Sequence, residues 1–172
     1  MFSVFGKLKL AEKVNAVRYP ITSVIGYQSK RRTDKYTMKT QKVTTLEGHD
    51  GTTINAYYHA TWNAFMTYDI GPIRATQFAN AHEQGETGKH TEMDKKNNEL
   101  GRAIGKIYLS AEDAFKREKE QGQFTSEIAG SRDTYSFSYL NKTFTISNSS
   151  NPYDIMSDMV MHAIAQNRHS MP

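Results

Sequence analysis

The sequence predicts a mainly α protein, a compact helical domain with a small β-hairpin between its central and C-terminal helices. Three observations carry that expectation. Residues 54–121 hold successive segments bounded by helix caps and breakers, residues 134–147 hold a single alternating stretch, and residues 154–166 form a Met-rich apolar segment with helical spacing. With 172 residues, 37% hydrophobic and 23% charged, the chain is long enough for one self-sufficient core.

Each element has its own signal. Phe2, Val4, Phe5, Leu8, Leu10 and Val14 have a loose helical spacing before the break at Tyr19-Pro20. Ile21 to Tyr27 suggests a further short element. The Thr-rich run Tyr36–Glu47 reads as extended chain leading into a Gly-His-Asp-Gly turn at 48–51. Thr52-Thr53 caps a helix from about Ile54 to Tyr68, which Gly71-Pro72 ends. A second helix runs from Pro72 to Glu83, with Ile73, Phe78 and Ala81 as its buried candidates. After the loop QGETGKH a third helix starts near Thr91 and extends to about Gln121, with Gly101 and Gly105 four residues apart inside it, a spacing that suggests close helix–helix approach. TYSFSYL and KTFTIS alternate around Asn141-Lys142 as a hairpin. Asp154 to Gln166 closes the chain, with Ile155, Met159, Val160 and Ile164 as core.

Composition excludes several functions. The chain has no cysteine, which removes disulfide scaffolds, thiolate metal sites and cysteine nucleophiles. No apolar run approaches the roughly 20 residues that a membrane crossing needs, and the N-terminal residues lack the order of a signal peptide. Residues 1–45 hold ten Lys and Arg against Glu12 and Asp34, a net of +8, so residues 46–172 carry −4 of the chain's total of +4. This divides the chain into a basic N-terminal arm or docking segment, 1–45, and a single helical domain, 46–172. The basic segment suits nucleic acid, an anionic membrane or simple solvation.

The chemistry-bearing residues concentrate between 55 and 102. Asn55, His59 and Asn63 fall at i, i+4 and i+8, as do Asp94, Asn98 and Arg102, so each set forms one polar ridge along a helix face. Asn97 lies beside the second ridge, and His82-Glu83 ends the helix between them. His59 is suited to general-base activation of water, oriented by Asn63 or Asp94, and Arg102 to holding a phosphate or developing anion. Alternatively His59, His82, Glu83 and Asp94 supply the ligand types that a divalent metal ion takes, although no standard metal-site spacing is present. Asn55, Asn97 and Asn98 are candidates for substrate binding. The bland alternative is a hydrogen-bonded core network. His49-Asp50 lies in a turn, and Tyr153-Asp154, His162 and Arg168-His169 form a weaker second polar group.

Three ordered segments carry a resemblance. NAYYHATWNAFM (55–66), FANAHE (78–83) and MDKKNNELGRAIG (93–105) resemble an uncharacterised bacterial domain whose members read N-A-F-R-H-A-x-W-N-A, then A-H-E, then M-D-x-x-N-N-x-x-G-R. The matching residues are Asn55, His59, Trp62, Asn63, His82, Glu83, Asp94, Asn97, Asn98, Gly101 and Arg102, whereas Tyr58 stands where members commonly have Arg. That domain often ends large secreted or polymorphic-toxin-like proteins. The resemblance therefore implies an antibacterial effector delivered into a target cell, with a cognate immunity protein as partner; the residues themselves, His59 with Asp94, the asparagines and Arg102, point to a hydrolase acting on an envelope or phosphate-containing substrate. A nuclease or nucleic-acid-binding toxin is the second expectation, and a non-enzymatic membrane-disrupting or partner-binding module the third.

Overall fold

Helix α1 spans Leu10–Arg18, α2 Pro20–Thr44, α3 Thr53–Ile70, α4 Pro72–Glu83 and α5 Lys89–Thr125; the antiparallel strands β1, Thr134–Tyr139, and β2, Lys142–Ser147, follow, and α6 is Pro152–Ala165. A computed structural model describes residues 8–44, 52–125 and 133–166. The mainly helical class and the place of the hairpin between the central and C-terminal helices are as the sequence predicts.

Helix α3 is the axis of the structure. Residues 59–67 are buried without interruption, because α2, α4, α5 and α6 cover it on different sides. Gly71 takes φ 78°, a conformation that costs a glycine little, and Pro72 follows at the first position of α4. The resulting turn lets α4 fold back beside α3, where Trp62, Met66, Ala75 and Ala79 form a small apolar cluster. A larger core joins α3, α5, α6 and the hairpin, with Tyr57, Phe65, Ile104, Tyr108, Met156, Met159 and Val160 fully buried.

The long helix α5, about 55 Å at 1.5 Å per residue, meets α3 at its two glycines. A Cβ at Gly101 would overlap the carbonyl of Ala60, and one at Gly105 would lie 2.7 Å from Thr67 Cβ and 2.8 Å from Ala64 O. Their spacing is thus the close helix approach that the sequence suggests. The hairpin turns at Leu140 and Asn141, both with positive φ, 48° and 61°. It buries Phe144 and Ile146, and the Phe137 and Phe144 rings stack at 5.9 Å.

Two features depart from the sequence expectations. Residues 36–44 continue α2 instead of forming extended chain, because Ser29, Thr33 and Tyr36 are drawn against the body. Tyr36 packs edge-on to Phe65 at 5.3 Å and donates a 2.6 Å hydrogen bond to Asp154 Oδ1. Asp69 also accepts from Ser29 Oγ at 2.6 Å, Arg32 Nη1 at 3.0 Å and Tyr153 OH at 2.6 Å, a knot that ties α2, α3 and α6 together. Ile73 is 73% exposed rather than buried. The Gly-His-Asp-Gly turn and Arg168-His169 lie outside the described residues. Among the described residues, no helix is long and apolar enough to cross a membrane.

Gly105→Ala should destabilise the protein by about 2–4 kcal/mol, since backbone on α3 leaves its methyl no room. Urea unfolding should show a lower midpoint with an unchanged slope; an unaltered midpoint would mean that the two helices are free to separate.

Candidate functional site

The two polar ridges face each other in register. Asn55 Nδ2 donates to Asp94 Oδ1 at 3.1 Å, His59 Nδ1 lies 3.2 Å from Asn98 Oδ1, and Arg102 Nη1 donates to Asn63 Oδ1 at 3.0 Å. Each pair is separated by 39 residues, so α3 and α5 run parallel with a constant offset. The glycine approach one turn along is what brings the ridges within hydrogen-bonding distance.

The network has a direction. Arg102 donates to Asn63, whose Nδ2 donates to Asn98 Oδ1 at 2.6 Å and to its own helix at His59 O, 3.1 Å. Asn98 Nδ2 in turn donates to Glu83 Oε1 at 3.2 Å. With its amide hydrogens facing a carboxylate, Asn98 presents oxygen to His59, which places a proton on Nδ1. The opposite nitrogen, Nε2, lies 3.4 Å from Asp94 Oδ1. His59 and Glu83 are buried, Asn63 and Asn98 almost completely so, and Asp94 is half-buried at the rim. Burial also pushes the Arg102 guanidinium down from its ordinary value, with Glu99 opposing the shift.

His59, Asn63, Glu83, Asp94, Asn55, Asn98 and Arg102 are therefore gathered into one cluster. Asn97 is buried on the same helix as Asn98. Asn63 differs from expectation in its means of action, since it holds Asn98 and the His59 carbonyl rather than the imidazole. His82 does not join. Consecutive helical residues point about 100° apart, so with Glu83 turned inward His82 faces α1, where its Nδ1 lies 3.0 Å from Glu12 Oε1 and its ring meets Trp62 edge-on at 5.1 Å.

The four candidate metal ligands are not brought together, since His82 faces Glu12. Glu83 faces His59 Nδ1 at 3.8 Å while Asp94 faces Nε2, so the two carboxylates occupy opposite edges of one ring and cannot converge with it on a single ion. No three His, Asp or Glu side chains among the described residues are arranged to hold a metal ion. In the weaker second group, Tyr153 and Asp154 serve the contacts between α2, α3 and α6, and His162 Nε2 lies 2.9 Å from the hairpin carbonyl of Leu140. Sequence reasoning missed Glu12 and Lys9, which hold the outward side of α4 at His82 and Glu86; both lie far from it in sequence and carried no motif. Lys9 Nζ reaches His82 O and Glu86, and the Lys9 amide donates to Glu12 at 2.7 Å.

Residues 13–128 match the family described as Domain of unknown function (DUF6973), and the chain belongs to that family. The match covers both ridges, α4 and most of α1 and α2. No curated protein and no solved structure matches the chain.

The α1 tie titrates. Burial opposes ionisation of Glu12, but the hydrogen bonds from His82 and the Lys9 amide outweigh it and hold its carboxyl below the ordinary value. Its contribution to stability is thus complete above the ordinary carboxylate range and is lost as pH falls through the lowered value. Fluorescence of Trp62, the sole tryptophan, should report this acid transition through His82. Glu12→Gln should remove the transition; its persistence would place the titrating group elsewhere.

Proposed function

We propose that this chain is a hydrolytic effector domain in which His59, paired with Asp94, activates water against a phosphate-containing or cell-envelope substrate. The observation that carries the reading is the fixed imidazole. Its Nδ1 is held by Asn98, and its Nε2 is turned toward a rim carboxylate rather than into the core. A histidine that serves packing alone does not need two carboxylates, three amides and a guanidinium gathered in one network with it, since each buried polar group carries a desolvation cost.

In the proposed step, water gives a proton to the Nε2 and Asp94 pair, and its oxygen attacks the phosphorus or carbonyl centre. The same proton is returned to the leaving group as the bond breaks. Asn55 holds Asp94 in place, and Asn98, Asn63 and Glu83 are positioning residues that fix the ring's tautomer and orientation. Arg102, half-buried with one nitrogen committed to Asn63, offers its remaining N–H groups to an anion that approaches along α5.

Action as an antibacterial effector, delivery into a target cell and neutralisation by a cognate immunity protein are supported by the motif resemblance. The motifs supply the same residues that meet in the cluster, and an immunity protein would act most directly by covering the Asp94 rim.

The test is growth of a bacterial host that produces the chain in the cytoplasm or exports it to the periplasm. Killing should require export and should be abolished by His59→Ala and strongly reduced by Asp94→Asn, with turnover lowered on the order of a hundred- to ten-thousand-fold. Circular dichroism should show both variants folded. Killing from the cytoplasm would favour nucleic acid as substrate, whereas unaltered killing by a folded His59→Ala variant would end the hydrolytic reading.

A further inference from the structure

The first helix is attached inside out. It buries no residue, and its hold on α4 is polar: Glu12 and Lys9 on His82, Lys9 on Glu86, and Asn15 Nδ2 on the Gln77 carbonyl at 3.3 Å. Its large apolar side chains point away from the protein. Leu10 is 80% exposed, Val17 76% and, at the start of α2, Ile21 77%, with Val14 and Val24 also exposed.

These five residues begin a single series. From Leu10 to Lys42, positions that advance in alternating steps of four and three are all exposed, although the chain bends at Tyr19 between the two helices. The first half of the series is wholly apolar. The second half contains Arg31, Lys35 and Lys42, and Gln28, Arg31, Arg32 and Lys35 line an open cleft of about 260 Å³. Residues 10–44 hold eight basic side chains and two acidic ones. Both acids are turned to partners within the protein, Glu12 to His82 and Asp34 to Lys30. With Arg32 paired to Asp69, the outward face is apolar at one end and positive at the other, where Arg31, Lys35 and Lys42 stand.

We propose that the outer face of α1 and α2 docks on an anionic lipid bilayer. The apolar end would lie among the upper acyl chains, and the basic end along the phosphate headgroups. Charge decides among the occupants. The four-three spacing is also that of a coiled-coil seam, but a second copy of this chain would set basic end against basic end if parallel. If antiparallel, it would bury Arg31 and Lys35 against valines without a counter-charge. A nucleic acid would neutralise the basic end and leave the five aliphatic side chains in water. A bilayer supplies both environments along one surface.

The inference is independent of what His59 does, and the substitutions that test it lie on exposed positions outside the cluster. The full chain should co-sediment with vesicles of mixed phosphatidylglycerol and phosphatidylcholine, but not with phosphatidylcholine alone. Excess inorganic phosphate should not compete beyond its effect as salt. Each cation near such a surface strengthens binding by roughly fivefold, so Arg31→Glu with Lys35→Glu should weaken it at least about 25-fold. Val17→Asp with Ile21→Asp should weaken it by about tenfold or more while leaving the circular dichroism spectrum unchanged.

Absence of binding, equal binding to uncharged vesicles, or indifference to the Val17 and Ile21 pair would each overturn the proposal. So would a dimer in light scattering that the same pair dissociates, which would make the face an interface between copies. Tight retention of duplex DNA by the vesicle-indifferent chain, sensitive only to Arg31 and Lys35, would identify the basic end as a nucleic-acid surface instead.

Discussion

The close parallel contact between α3 and α5 is the constraint on which the rest of the structure depends. Gly101 and Gly105 stand against Ala60, Ala64 and Thr67, so both helices present small surfaces along one shared seam. Packing at this range fixes rotation as well as distance, because only one face of each helix is narrow enough to enter it. Once that face is fixed, the 39-residue offset brings Asn55 to Asp94, His59 to Asn98 and Asn63 to Arg102. The polar cluster is thus a consequence of a steric contact in which none of its members takes part.

The same contact explains why the cluster is tolerable. Buried amides and carboxylates are costly when unpaired, and a small rotation of α5 would leave several unpaired together. Small residues on the seam prevent that rotation. Apolar cores on either side, Trp62 with Ala75 and Ala79 on one flank and Tyr57 with Met156 and Val160 on another, provide the burial that offsets the desolvation of the polar layer. The Asp69 knot performs a comparable task at the far end of α3. It raises the Tyr153 phenol well above its ordinary value through burial and through its hydrogen bond to the carboxylate.

How much of this was legible in the sequence depended on how local each signal was. Helices α3, α4 and α5 were readable because Thr52, Gly71-Pro72 and the QGETGKH loop punctuate them, and the hairpin because Asn141 follows an alternating strand. The two ridges were readable because i and i+4 spacing is a property of one helix. The continuation of α2 was not, since Thr-rich segments favour extended chain in isolation and only packing against α3 overrides that preference. The inward turn of Glu83 and outward turn of His82 were equally hidden, as the motif A-H-E gives no phase for its helix. Contacts such as Tyr153 with Asp69, 84 residues apart, leave no trace in either segment alone. Ile73 and the outward valines of α1 were misleading in the opposite sense, since apolar periodicity marks a face without saying what covers it.

The one-way order of the hydrogen bonds from Arg102 through Asn63 and Asn98 to Glu83 has a consequence for proton movement. Amide side chains neither gain nor lose protons near neutral pH, so the amides hold the imidazole without relaying protons to it, and the ionisable groups at the ring are Glu83 beside Nδ1 and Asp94 beside Nε2. Of those two carboxylates Asp94 is the less deeply buried, so its edge of the ring is the one nearer to solvent.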